Sequence, residues 1–82
     1  MEGVVKLVNE KMRLVVVETD NGFTVFEVSD THHVEAGDVL SGSLESAACD
    51  SLFNYSRGTI VEVCVRDIVA TLEAAETRIN NP

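Results

Sequence analysis

The stretch Leu14 to Val28, LVVVETDNGFTVFEV, restricts this chain more than any other, because two β-branched apolar runs meet at a turn signal. Asn21-Gly22 is the pair best suited to a type I′ turn, in which both central residues take positive φ. Followed outward, the register sets Thr19 against Thr24, Val17 against Phe26 and Val15 against Val28 on one side of the hairpin. The other side sets Glu18 against Val25 and Val16 against Glu27. The first side is the expected core face. The second, carrying Val16, Glu18, Val25 and Glu27, is expected to be half solvated. A one-residue slip would bury both glutamates, so the pattern pins the register.

Strand signals also dominate the flanking sequence. Gly3 to Val8 reads as a first strand, and Asn9 to Met12 is polar enough for a turn. Ser29 to Gly37 lacks a clean period and reads as one short helical turn or a loop. Val39 to Glu45 is a strand interrupted by Gly42, the kind of glycine that marks a bulge or a bend at a barrel corner. Ser51 to Tyr55 is a short strand, Arg57-Gly58 a turn, and Ile60 to Arg66 a strong β-branched strand. After Asp67, read as an N-cap, Ile68, Val69, Leu72, Ala75 and Ile79 gather on one helical stripe. That stripe is expected to close the open end or one face of the sheet.

Eighty-two residues leave no room for a second core. The expected architecture is a single domain, 1–82, with a barrel over 1–66 and an amphipathic helix over 67–79. Its class is mainly β: a small antiparallel barrel of five or six strands with a C-terminal α-helix. Hydrophobic residues make up 45% of the chain but aromatics only 5%, so Val and Leu carry most of the packing.

The order of the first strand, the RLVVVETDNGFTVFEV hairpin and VEAGDVLSG resembles the OB-fold superfamily, particularly its cold-shock and S1-like branches. The resemblance covers most of residues 1 to 66. It implies ligand binding on the outer face of the second and third strands and the loops around it. Cold-shock-like members place stacking aromatics and basic residues there, whereas the comparable positions here are Val16, Glu18, Val25 and Glu27. An apolar patch rimmed by carboxylates suits a protein partner or self-association. The run Glu18-Thr19-Asp20 is similar to the tip of lipoyl-carrier domains, but Asn21 follows where those domains carry the modified lysine. No cofactor is expected.

Fourteen acids against six bases give a net charge of −8. That charge repels phosphate backbones and makes nucleic acid the less favoured partner. The alternative reading keeps a single-stranded nucleic-acid groove built from Lys6, Lys11, Arg13, Tyr55 and Arg57. Stacking a base on an aromatic such as Tyr55 is worth about 1–3 kcal/mol.

His32-His33 is the first candidate for metal or proton chemistry. A zinc site takes about four ligands, and Cys49, Cys64, Asp30 and Glu35 are the available partners; no metal site is expected. Cys64, in a valine-rich strand, reads as a small buried hydrophobe. Cys49, in a loop of small residues, reads as exposed and without a neighbouring cation to activate it. No nucleophile or phosphate-loop motif surrounds the serines or glycines, and the carboxylates are scattered, so an enzyme is not expected. No apolar run approaches the roughly 20 residues of a membrane span. The start, Met1-Glu2-Gly3, does not resemble an export signal. A cytoplasmic location with free thiols is therefore the expectation, with a Cys49–Cys64 disulfide as the open alternative because sequence does not place the two sulfurs.

Overall fold

The computed structural model describes residues 1–44 and 48–80. Strands β2 (Leu14–Thr19) and β3 (Gly22–Val28) form the expected hairpin, but the turn residues are Asp20-Asn21 rather than Asn21-Gly22. Thr19 pairs with Gly22, Val17 with Thr24 and Val15 with Phe26, two residues away from the expected register. Asn21 N–H donates to Thr19 Oγ1 at 3.2 Å, a local bond that favours the tighter loop. Positive φ falls on Gly22, at 132°, and on neither turn residue. Because the displacement is two residues, every side chain keeps the face that the sequence assigned to it.

Around this hairpin, β1 (Glu2–Asn9), β4 (Val39–Ser41), β5 (Cys49–Asn54) and β6 (Thr59–Val69) close a barrel in the order β1-β2-β3-β6-β5-β4. Every neighbouring pair is antiparallel. β2 and β3 each have a ladder partner on both sides, with β1 and β6 flanking them, so the hairpin presents no free edge. The connection from β3 to β4 carries a short 3-10 turn, Thr31–His33, and buries Val34 in the barrel interior. Gly42 supplies the expected bend, at φ 140°; a Cβ there would stand 2.7 Å from Leu52 Cδ2. Glu45, the expected end of that strand, lies outside the described residues.

Two bulges decide which apolar residues go where. On β1, Val5 pairs with Val17 and Leu7 with Val16, so Lys6 is an extra residue. The bulge lets Val5 and Val8 both serve the interior while Leu7 turns to the outside. On β6, Val65 pairs with Phe26 and Asp67 with Val25, which makes Arg66 the extra residue. Val61, Val63 and Val65 therefore face the interior, and Val69 joins Leu7 on the outer side. Both bulge residues are charged and exposed, which suits the position that leaves the ladder.

The outer side so assembled is covered by helix α1 (Leu72–Asn80), whose Ala75 and Ile79 are buried against Leu14, Val16 and Val25. The stripe thus closes one face of the sheet. Its boundaries differ from the expected 67–79. Ile68 and Val69 stay in β6, paired with Thr24 and Phe23, because β-branched residues with a ladder partner favour extended backbone. Thr71, not Asp67, caps the helix: its Oγ1 accepts from Ala74 N at 3.1 Å. Asp67 instead holds Arg78 at 2.8 Å, and Asn9 Nδ2 donates to Ile79 O at 2.7 Å, so the last turn of α1 is tied to the barrel twice.

Candidate functional site

The four residues expected on a solvated binding face are not a surface. Val16 and Val25 are 0% and 1% exposed beneath α1, which corrects the half-solvated reading. Glu18 remains exposed and lies 3.3 Å from Lys6; Glu27 is partly buried, 3.2 Å from Arg66. The signal that was available is the run Leu14-Val15-Val16-Val17. Four successive apolar residues do not alternate, and a strand without alternation is covered on both faces.

The exposed apolar surface lies instead on the side formed by β4, β5 and β6. On β5, Leu52 and Asn54 point inward, so Phe53 and the following Tyr55 point outward. Phe53 stands opposite Ile60 on β6 and opposite Ser41 on β4, which in turn faces Glu2 on β1. One continuous outer row therefore reads Glu2, Ser41, Phe53, Ile60. Tyr55 N donates to Val39 O at 2.9 Å, which places Val39 beside Tyr55 in the next row. The Phe53 and Tyr55 rings meet edge to face with centroids 4.9 Å apart. Tyr55 is 57% exposed, Ile60 58% and Phe53 37%, values high enough to make this a wet, unpartnered apolar patch. Glu62 continues the Ile60 face of β6, where its carboxylate accepts from Ser51 Oγ at 2.8 Å.

A buried polar network holds the patch in place. Asn54 is fully buried; its Nδ2 donates to His33 O and to Asp38 Oδ2, each at 2.9 Å, and its Oδ1 accepts from Ser56 N at 3.0 Å. Asp38 Oδ2 also accepts from Glu35 N at 3.0 Å and from Arg57 Nε at 2.9 Å. Burial alone would push the Asp38 carboxyl up. The hydrogen bonds from Asn54, Glu35 N–H and Arg57 outweigh it and hold the group below its ordinary range. Arg57 completes the network with an ion pair to Glu35. The turn after Tyr55 is thereby clamped to the β3–β4 connection.

The nucleic-acid contacts proposed from sequence do not converge. Lys6 and Arg57 are engaged with Glu18 and with Glu35 and Asp38 respectively. Lys11 and Arg13 make no ion pair among the described residues, but they sit in the β1–β2 turn, beyond the end of β1 opposite Glu2. Arg13 lines a shallow cavity of about 260 Å³ with Glu27 and Glu62. Tyr55 alone of that set belongs to the exposed aromatic patch.

Cys49 and Cys64 are joined by a disulfide, which corrects the expectation of free thiols. The pairing of β5 with β6 sets them directly opposite, with Cα atoms 3.9 Å apart, although they are 15 positions apart in sequence. Cys49 opens β5 rather than lying in a loop. His32 and His33 are exposed on the 3-10 turn, where Asp30 Oδ1 accepts from His32 N at 2.8 Å. Among the described residues no three His, Cys, Asp or Glu side chains are grouped to hold a metal ion, and no helix is long and apolar enough to cross a membrane. Compared with known proteins, the chain matches no family model, no curated protein and no solved structure.

Proposed function

We propose that this chain is a non-catalytic protein-interaction module whose contact face is the outer surface of β4, β5 and β6. The observation that supports it is the exposed cluster of Phe53 and Ile60 on paired strands with Tyr55 at the start of the clamped turn, while α1 occupies the β2–β3 face. Aromatic side chains held this way supply large contact area at small entropic cost. The OB-like reading extends to the small antiparallel barrel. A binding site on the second and third strands does not go with it, because α1 stands there.

Self-association is the weaker version. A symmetric contact through this face would bring Glu2 and Glu62 of each copy toward the same carboxylates of the other. The single-stranded nucleic-acid reading draws on Phe53 and Tyr55 as a stacking platform, but Arg57, two residues beyond Tyr55, is already paired twice. The Cys49–Cys64 bridge suits an oxidising compartment; the cytoplasmic placement expected from sequence would keep both as thiols.

Anisotropy with mixed single-stranded oligonucleotides at low salt, and sedimentation over a concentration series, test these assignments together. The expected results are no oligonucleotide binding and a constant monomer mass. Micromolar, salt-sensitive oligonucleotide binding that Tyr55→Ala abolishes would overturn the reading in favour of nucleic acid. A concentration-dependent mass lost in Ile60→Asp would overturn it in favour of self-association.

A further inference from the structure

Resting on that interaction reading, we infer that the occupant of the Phe53–Tyr55–Ile60 face is a short cationic segment of another protein, carrying Lys or Arg beside apolar side chains. The three exposed side chains offer on the order of a few hundred Å², well below the roughly 800 Å² per partner of a standard stable interface. That area suits an extended segment rather than a second folded copy.

Charge selects its chemistry. The aromatic row ends in Glu2 on one side, and Glu62 lies two residues from Ile60 on the same face of β6. Neither carboxylate has a cationic partner among the described residues; Glu10, Asp20, Asp50, Glu73 and Glu76 share that, but only Glu2 and Glu62 adjoin the Phe53–Ile60 row. The exposed faces of Tyr55 and Phe53 attract a guanidinium or ammonium group through their ring quadrupoles. A bound segment carrying Lys or Arg therefore meets the rings along the row and carboxylates at its margins. A phosphate backbone or an anionic membrane would meet the same carboxylates with the wrong sign, and the net charge of −8 adds to that preference.

The test is a titration of the full chain with three fluorescent peptides that share the same Leu and Tyr positions. One alternates these with Lys and Arg, one with Ser, and one with Glu. The cationic peptide is expected to bind at least about tenfold more tightly than the other two. Glu2→Lys with Glu62→Lys is expected to weaken it about tenfold, and Phe53→Ser with Tyr55→Ser likewise. Glu73→Lys with Glu76→Lys on α1 makes the same change in net charge away from the face, and is expected to leave affinity within about twofold.

Equal loss from the α1 reversal would reduce the effect to general attraction by an acidic surface and overturn the inference. If the Ser and Glu peptides bind as tightly as the cationic one, and Phe53→Ser with Tyr55→Ser still abolishes binding, the face stands and the cationic preference falls. If no peptide binds, or the aromatic variant binds as the parent does, both the face and its occupant are wrong. Circular dichroism of each variant checks its fold, and Ile60→Ser replaces the aromatic pair if that variant unfolds.

Discussion

Val16 stands opposite Val25 across β2 and β3, and both are sealed from solvent because α1 lays Ala75 and Ile79 over them. The helix is therefore part of the core and not an appendage. Ile79→Ala is expected to lower unfolding stability by about 2–4 kcal/mol, through lost transfer energy and the cavity left behind. Val16→Asp, which buries a carboxylate without a partner, is expected to prevent stable folding. Urea midpoints measure both; an Ile79→Ala midpoint equal to that of the parent would show that α1 does not pack on the sheet.

Asp38 predicts a pH dependence with a definite sign. Its pKa is lower in the folded chain than in the unfolded one. The ionised carboxylate thus contributes stability that is complete above the unfolded value, about 3.9, and is lost as pH falls through the folded value. Asp38→Asn is expected to be less stable near neutral pH by about 1–3 kcal/mol. The gap should narrow below about pH 4, where the parent carboxyl takes up its proton. A gap that stays constant down to the acid limit would assign the stability to packing instead.

The disulfide closes a short loop between strands that are already paired. With its cysteines 15 positions apart in sequence, chain-entropy arguments give about 3 kcal/mol of stabilisation. Reduction by a dithiol, or Cys64→Ser, is expected to lower the urea midpoint accordingly while leaving the barrel folded. Alkylation read by mass spectrometry supplies the direct check: the untreated protein should take up no label and the reduced protein two equivalents, one for each of Cys49 and Cys64. Label on the untreated protein would remove the bridge from the account.

Gly22 is where the hairpin meets β6. At φ 132° and with Val69 O 2.6 Å from the place of a Cβ, it tolerates no side chain without backbone movement. Gly22→Ala is expected to cost more than about 2 kcal/mol, combining an unfavourable φ with a backbone clash. A thermal or urea midpoint within error of the parent would mean that β3 and β6 do not approach as closely as described.

Part of this was legible in the chain itself. The alternation of Val15, Val17, Phe26 and Val28 assigned the interior face of the hairpin correctly, even though the turn moved by a residue. It survived because side-chain direction depends only on the parity of the pairing, which a two-residue displacement leaves unchanged. The bend at Gly42, the turn at Arg57-Gly58 and a closing helix near the C-terminus were likewise local signals, carried by backbone preference and periodicity.

The location of the surface was not local. Hydrophobic pattern would turn Phe53 and Tyr55 inward and Asn54 outward; the fold reverses this because His33 O, Asp38 and Ser56 N satisfy the Asn54 amide inside. Likewise, which apolar residues of β1 and β6 face α1 follows from the bulges at Lys6 and Arg66, which only strand pairing reveals. The sequence by itself determined a mainly β barrel with one covering helix, since propensity and periodicity act over a few neighbouring residues. Only the tertiary structure decided that α1 is what covers Val16 and Val25, that Cys49 meets Cys64, and that Phe53, Tyr55 and Ile60 are left in water. Those outcomes depend on contacts between residues far apart in the chain, where partner and not composition sets the energy.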